Sequence, residues 1–229
     1  MTFSIAALCP RTGQYGYALT TSSMAAGGRA GFIAQGIGVV LSQARSDPRL
    51  GALGLRRLEA GRNAEETLAD MLASTPHSAW RQLAVLDLQG RVAAFTGAEC
   101  TNAKGERLGR GAVAVGNGLA NDRVVGAMLD GFSSEPGKPF TDRLLAALES
   151  GLAAGGEAYP LRSAAVRVAL PDAPFPPIDL RVDFAEAPIA ELRRLWALWA
   201  PMVGGYVQRC LDPARSPPAA DIEGHLPKP

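Results

Sequence analysis

The sequence has little of several residue types that would mark particular classes of protein. Cysteine occurs only three times in 229 residues, as Cys9, Cys100 and Cys210. Three widely spaced cysteines fit neither a disulfide framework nor a paired-cysteine metal motif. The 23 basic residues are balanced by 22 acidic ones, without a run rich in lysine or arginine, so the charge pattern of a nucleic-acid-binding protein is missing. We therefore expect no nucleic-acid partner, no metal and no other cofactor.

Long apolar segments are also missing from the chain. None approaches the length of a membrane span, and the N-terminus lacks the basic and apolar regions of a secretory signal. These features predict a cytoplasmic protein without a membrane partner. Because 47% of the residues are hydrophobic, the chain can bury one large core. We expect a single domain over residues 1–211, followed by an extended, proline-rich tail over residues 212–229.

A short strand of small and apolar residues, Thr2–Leu8, follows the initiator Met1 directly. If Met1 is removed, Thr2 carries a hydroxyl and a free α-amine on one residue, and this pair can act as nucleophile and base. Chain termini are usually frayed, but here the apolar strand starts at once and would hold Thr2 in place. Thr2 is therefore a candidate nucleophile, and an ordinary threonine at a strand end is the alternative.

The spacing of apolar residues predicts strands and helices in clusters rather than in strict alternation. Strands are expected over residues 2–8, 16–21, 36–43, 83–88, 91–96, 111–115, 163–170 and 178–184. Helices are expected over residues 48–60, 64–73, 122–131, 141–150 and 188–210, the last of them interrupted near Pro201 and Gly204-Gly205. An exposed loop is expected over residues 97–111. Asn63 is expected to cap the second helix and Gly151 to end the fourth. These clusters favour an α+β fold with two largely antiparallel sheets between two helical layers, a four-layer αββα sandwich.

Polar residues near the strand ends are candidates for a pocket beside Thr2. Asn117 follows a strand and lies between two glycines, so its amide and nearby backbone N–H groups are suited to stabilising an oxyanion. A left-handed turn at Asn117 is the alternative. The other candidates are Ser22, Ser23, Gln43 and Arg81, for which a loop start or a solvated strand edge is the alternative.

A series of short motifs in a fixed order resembles the family called domain of unknown function 1028, over nearly the whole chain to about Asp212. The motifs are Thr2-Phe3-Ser4-Ile5, Thr12-Gly13, Ser22-Ser23, Gly38-Val39-Val40 through Gln43, Arg81-Gln82, Thr96-Gly97, Gly116-Asn117-Gly118-Leu119, Ala154-Gly155-Gly156, Ser163-Ala164 and Asp179-Leu180-Arg181-Val182-Asp183. The resemblance implies the αββα fold of the N-terminal nucleophile (Ntn) hydrolases, which commonly hydrolyse amide bonds. A polar run often precedes Ser163 in this family, and only Arg162 is left of it here, so Arg162 and Ser163 are further substrate-binding candidates.

These observations predict a hydrolase that cleaves a C–N bond in a small amide or peptide-like metabolite, with Thr2 as nucleophile and Asn117 at the oxyanion. One alternative, from another class, is a non-catalytic binding or assembly protein on the same fold. A second alternative is a hydrolase that uses Ser22 or Ser23. The apolar stripe of the last helix, with Trp196 and Trp199, predicts a homodimer.

Overall fold

Ten strands form two antiparallel sheets. The computed structural model describes residues 1–101 and 103–226. The strands are β1 (Thr2–Leu8), β2 (Tyr15–Thr21), β3 (Gly31–Ala34), β4 (Gly38–Ala44), β5 (Arg81–Asp87), β6 (Val92–Thr96), β7 (Gly105–Gly109), β8 (Ala112–Asn117), β9 (Ser163–Ala169) and β10 (Ile178–Val182). The first sheet has the order β10-β9-β2-β1-β8-β7 and the second has the order β3-β4-β5-β6.

The strand β1 lies inside the first sheet, between β2 and β8. Almost all of its side chains are buried, because the sheet is covered on both faces. Successive side chains of a strand point to opposite faces, so Phe3 and Ile5 face one layer while Thr2 and Ser4 face the other. Phe3 and Ile5 belong to the core beneath the helices, whereas Ala6 belongs to the core between the two sheets. The Thr2 side chain therefore points between the sheets.

Seven helices complete the described part of the chain. They are α1 (Pro48–Glu59), α2 (Ala64–Ala73), α3 (Val124–Ser133), α4 (Phe140–Ala153), α5 (Pro188–Trp199), α6 (Val203–Leu211) and α7 (Ala219–Glu223). Asn63 caps α2 as predicted: its side chain accepts the Glu66 N–H at 3.0 Å, and the Glu66 carboxylate accepts the Asn63 N–H. Such a reciprocal cap satisfies two backbone donors at the helix start.

Three separate apolar cores hold four layers together. The helices α1 and α2 pack on the second sheet through residues such as Leu58 and Met71. The two sheets face each other through residues such as Leu19 and Leu41. The helices α3, α4 and α5 cover the outer face of the first sheet, where Phe3 is buried. The predicted α+β, four-layer αββα sandwich is confirmed.

Several predicted boundaries are wrong in detail. Residues 105–109 form the edge strand β7 inside the predicted loop, and β3 is a further edge strand that was not expected. The helix α4 continues through Gly151 to Ala153, and the left-handed glycines that follow it are Gly155 and Gly156.

The C-terminal residues depart from the expected extended tail. Within residues 212–226 the helix α7 forms, and its Ile222 is buried, with 8% of its surface exposed. A Cβ added at Gly205 of α6 would lie 2.9 Å from the Ile222 side chain, so α7 packs closely on α6. In the described residues, no helix is both long enough and apolar enough to cross a membrane.

Candidate functional site

The first residues of β1 lie where the apolar layer between the sheets becomes polar. Thr2 lies opposite Asn117 of β8, and 6% of the surface of Thr2 is exposed to solvent. Ser4, Gln43, Gln82 and Asn117 are buried in the same region. Both glutamines come from the second sheet and reach across to the first.

Gln82 fixes the orientation of this polar cluster. Its side-chain amide lies 2.8 Å from the Gly116 carbonyl oxygen and 3.2 Å from that of Gly105. A carbonyl oxygen only accepts hydrogen bonds, so the atom that faces them is the Gln82 NH₂ group. The Gln82 Oε1 must then accept, and it does so from Gln43 Nε2 at 2.7 Å and from Asn117 Nδ2 at 2.9 Å. Ser4 completes the chain by donating to Gln43 Oε1 at 2.6 Å.

As a consequence, Asn117 presents an acceptor rather than a donor. Its Nδ2 is used by Gln82, and its Oδ1 is buried without a hydrogen-bond partner among the described residues. The next backbone N–H groups are also used, since Gly118 donates to Thr101 at 3.3 Å and Leu119 to Ala103 at 2.9 Å. The left-handed residue of this turn is Gly118, at φ +63°, and not Asn117.

A second buried acceptor approaches the chain start from the other side. Glu157 forms an isolated bridge with Leu119, and its Oε2 accepts the Ser22 N–H at 3.0 Å. Its Oε1 is buried without a hydrogen-bond partner in the described part of the chain. Burial raises the pKa of the Glu157 carboxyl, while hydrogen bonds from Ser22 and the charge of the N-terminal amine partly oppose this rise.

The Met1 carbonyl group is held at the centre of the site. Its oxygen accepts hydrogen bonds from the Thr2 hydroxyl and, at 2.6 Å, from the Thr21 hydroxyl. The Met1 side chain lies directly on Gly118, where an added Cβ would come within 1.9 Å of Met1 Cγ. Gly118 thus has to be a glycine both for its backbone conformation and for the space that Met1 occupies.

A cavity of about 210 Å³ opens beside Met1. It is lined by Met1, Ala44, Arg45, Trp80, Glu99, Cys100, Thr101 and Asn117. The Arg45 guanidinium lies 4.6 Å above the Trp80 ring, and burial raises the pKa of the Cys100 thiol. The size and the polar lining suit a small polar molecule.

The other predicted residues fall into two groups around this centre. Ser22 and Ser23 follow β2 directly, and Ser23 is exposed. Ser163 is fully buried and donates its hydroxyl to the Ser23 carbonyl at 2.7 Å, so it anchors the Ser22–Ser23 loop beside Glu157. Gln43 lies behind Thr2 in the polar cluster, with its Nε2 3.4 Å from the Thr2 carbonyl oxygen.

The two predicted arginines lie farther out. Arg81 contacts the Arg45 carbonyl and lies 3.6 Å from the Asp47 carboxylate, next to the wall of the cavity. Arg162 is exposed, and its guanidinium lies 5.4 Å from the centre of the Phe184 ring, so the structure does not bring its side chain into the cluster. Among residues 1–101 and 103–226, no group of three or more His, Cys, Asp or Glu side chains is placed to hold a metal ion.

Sequence reasoning missed Thr21, Gln82 and Glu157. Gln82 lies within the Arg81-Gln82 motif, but nothing in the sequence marks it as a site residue. Glu157 follows Gly155 and Gly156, and a carboxylate directly after a glycine pair in a family motif is the signal that could have identified it.

The layers and the polar end of β1 define a class of protein: an αββα sandwich with a candidate nucleophile at the first residue of an inner strand. Residues 2–192 match the profile of the Family of unknown function (DUF1028). The chain therefore belongs to this family, as its motifs predicted.

The fold is similar to that of a solved structure from the same family. A crystal structure of a DUF1028 protein from Silicibacter pomeroyi is 36% identical, covers 87% of this chain and 89% of its own, and superposes with a TM-score of 0.81. Anbu (ancestral beta-subunit) from Yersinia bercovieri aligns over 90% of this chain and 97% of its own at 10% identity, with a TM-score of 0.38. The second likeness is too weak to carry an argument. A comparison with curated proteins found no match.

Proposed function

We propose that this protein is an Ntn-type amidohydrolase that cleaves a C–N bond in a small amide or peptide-like metabolite, with Thr2 as nucleophile after Met1 is removed. The observation that carries the proposal is the placement of the Met1–Thr2 amide, whose carbonyl oxygen accepts from both the Thr2 and the Thr21 hydroxyl. This end of β1 thus already holds an amide carbonyl beside the candidate nucleophile, at the edge of a cavity.

In the proposed reaction, the Thr2 hydroxyl oxygen adds to the substrate carbonyl carbon while its proton passes to the Thr2 α-amine. The amine returns this proton to the leaving nitrogen as the C–N bond breaks. Water then hydrolyses the threonine ester and releases the acid. No oxidant, metal or second substrate is required.

Asn117 Oδ1 and Glu157 Oε1, two acceptors without a hydrogen-bond partner among the described residues, are suited to orienting such a base. A neutral primary amine has two N–H donors and one lone pair. If the two acceptors receive these N–H groups, the lone pair is left to face the Thr2 hydroxyl. We propose this orienting role for both residues, with Gln82 as a positioning residue that keeps Asn117 Oδ1 turned toward the amine.

When Thr2 adds to the substrate carbonyl carbon, the carbonyl oxygen becomes negatively charged and needs a hydrogen-bond donor. The predicted role of Asn117 stays a prediction, and it requires the amide to turn over and to give up its hydrogen bond to Gln82 Oε1. The Thr21 hydroxyl needs no rearrangement, since it already donates to the Met1 carbonyl oxygen at 2.6 Å. We propose Thr21 as the first donor and Asn117 as the alternative.

The remaining predicted residues are proposed to shape the pocket. Ser22 and Ser23 are proposed to contact the substrate beside Glu157, while the buried Ser163 anchors their loop. Gln43 supports Thr2 from behind, and Arg45 with Arg81 supplies positive charge near the cavity. Arg162 is proposed as a contact only for a substrate that extends toward Phe184. The cytoplasmic location stays a prediction. So does the alternative of a non-catalytic binding or assembly protein.

The test is a comparison of wild type, Thr2→Ala and Thr2→Ser, each checked by intact mass for loss of Met1. Turnover would be measured as released amine across a panel of primary amides, N-acyl amino acids and dipeptides. T2A should abolish turnover while it lowers the unfolding free energy by at most about 1–2 kcal/mol, and T2S should keep part of the activity. The wild-type rate should fall as the pH drops below the range of a free α-amine, about 7.7–8.0.

Thr20→Ala is the matched control. Thr20 is a buried threonine on β2 whose hydroxyl donates to the Ser163 main-chain carbonyl at 2.9 Å. Its side chain lies on the opposite face of the strand from that of Thr21, so T20A should remain active. A folded T2A protein with wild-type turnover would overturn the Thr2 mechanism and leave Ser22, with Glu157 as its base, as the next candidate. Retention of Met1 by the whole population in the native host would also refute the mechanism.

A further inference from the structure

A second cavity, of about 450 Å³, lies at the opposite end of β1 from Thr2. It is formed by the end of β1, the turn between β7 and β8, the last turns of α3 and the start of α4. The seven residues of β1 span about 20 Å, so this cavity is separate from the candidate active site. We call it the arginine cavity.

Positive charge dominates the lining of the arginine cavity. Arg11, Arg110 and Arg143 contribute guanidinium groups, and Asp130 contributes one carboxylate. Among the described residues, none of the three arginines forms an ion pair within 4.0 Å. Three arginines without an acidic partner around one cavity leave a net positive site.

The arginine nearest the floor of the cavity is already held in place. The Arg143 guanidinium lies 4.1 Å from the centre of the Phe132 ring, and its Nε donates to the Phe132 carbonyl at 3.0 Å. Its Nη1 lies 3.9 Å from the Cys9 sulfur. A guanidinium has five N–H donors, so three remain for a ligand. A fixed arginine loses less side-chain entropy on binding than a mobile one.

The buried thiol of Cys9 lies beside the Arg143 guanidinium, which affects the pKa of the thiol. Burial raises the pKa of this thiol, but hydrogen bonds from Thr12 and Arg11 and the charge of Arg143 lower it, and the net shift is downward. The apolar side chains of Leu8, Leu129 and Phe132 line the cavity beside Cys9 and Arg143.

We propose that the arginine cavity is a binding site for a small molecule that carries a phosphate or carboxylate group on an apolar body. The oxyanion would be bound by Arg143 and Arg110, with Arg11 closing over it, because guanidinium groups match the geometry of both groups. This proposal does not depend on the function of Thr2.

The test uses inorganic pyrophosphate and citrate as probes, titrated calorimetrically into the 229-residue chain at an ionic strength of about 0.15 M, where exposed charges more than about 8 Å apart are largely screened. Both should bind to wild type, and the tighter one identifies the favoured group. Arg110→Gln should weaken binding at least about tenfold, the loss expected for one charge-assisted hydrogen bond. Arg110 is exposed, so this variant should fold normally, and Arg11→Gln serves as a second site variant.

Arg107→Gln is the matched control. Arg107 is an exposed residue of β7 three positions away, and it does not line the cavity, so the variant makes the same charge change and should alter the affinity less than about twofold. Thr2→Ala should also bind both probes as wild type does. The proposal is overturned if wild type binds neither probe, if R107Q weakens binding as much as R110Q, or if R110Q and R11Q bind like wild type.

Discussion

At the scale of single residues, Glu157 places a carboxylate in a buried position beside the chain start. Only 8% of its surface is exposed, and burial raises its pKa against the opposing hydrogen bonds of Ser22. A carboxyl group whose pKa is raised by folding stabilises the fold when it is protonated. This contribution is complete below the unfolded-state pKa of about 4.3 and is lost as the pH rises through the higher folded-state pKa.

Glu157→Gln should therefore stabilise the protein in a pH-dependent way. Glutamine keeps the shape of the side chain but carries no charge, so E157Q should exceed wild type in unfolding free energy at pH 7. The difference should close as the pH falls below about 4, where both side chains are neutral. Urea unfolding at a series of pH values measures it. Glu59→Gln, at the exposed end of α1, should change stability by less than about 0.5 kcal/mol. An E157Q protein that is less stable than wild type at pH 7 would contradict the argument.

The residues that could be found from the sequence are those whose own chemistry identifies them. Thr2 has a hydroxyl at the chain start, and Asn117 has an amide between glycines, so both were predicted. Gln82 and Glu157 reach the site through contacts with residues far away in the sequence. The Gln82 amide reaches the Gly116 carbonyl across the two sheets, and Glu157 bridges to Leu119. The glycine pair before Glu157 marks this residue in the sequence, but no local pattern gives the contacts that place the two side chains in the site.

At the scale of elements, two glycines in neighbouring helices have opposite surroundings. Gly151 of α4 is buried, and an added Cβ would lie 2.8 Å from Met128 Cγ and 3.1 Å from the Phe3 ring. Gly126 of α3 has no heavy atom within 4 Å of such a Cβ. Alanine is favoured over glycine in a helix by about 1 kcal/mol, whereas overpacking a core costs about 1–3 kcal/mol.

The same substitution should thus act in opposite directions in the two helices. Gly126→Ala should raise the unfolding free energy by about 0.5–1 kcal/mol. Gly151→Ala should lower it by about 1 kcal/mol or more, because the clash with Met128 and Phe3 exceeds the gain in helix propensity. Denaturant unfolding of both variants checks this, with each serving as the control for the other. Equal shifts in the two variants would contradict the packing described for α4.

Gly151 also shows why the end of α4 was misplaced. A glycine after an apolar helical pattern is typical of a helix end, but here it is required by close packing on Phe3. The two unexpected strands, β3 and β7, have another cause. Each lies at the edge of a sheet with one strand neighbour, and an edge strand needs few apolar residues. The inner strands and the capped helices carry strong patterns and were predicted correctly.

At the scale of the whole molecule, Trp196 and Trp199 contact other residues of the same chain. Trp196 donates to Asp142 Oδ1 at 3.1 Å, and Trp199 stacks on Tyr206 with ring centres 5.1 Å apart. Both rings therefore make contacts within the chain, so their presence is not evidence for a dimer interface. The homodimer stays a prediction. Leu211, at the end of α6, is an exposed apolar side chain with 59% of its surface exposed.

Light scattering at micromolar concentration tests the assembly. A homodimer should have twice the mass of the 23.9 kDa chain. Leu211→Asp should shift the population toward the monomer if the end of α6 lies in the contact, because burial of a carboxylate is unfavourable. A monomer mass for wild type would reject the dimer.

The packing of Met1 against Gly118 bears on whether Met1 is removed before or after folding. An aminopeptidase must grip an extended N-terminus, but in the folded protein the Met1 carbonyl is bound by Thr21 and its side chain lies on Gly118. Under the proposed function, we therefore expect Met1 to be removed during synthesis, before β1 enters the sheet. A chain that folds with Met1 in place should keep it and lack the free amine of Thr2. Under this proposal, the active fraction of a preparation depends on whether Met1 is removed before β1 folds into the sheet.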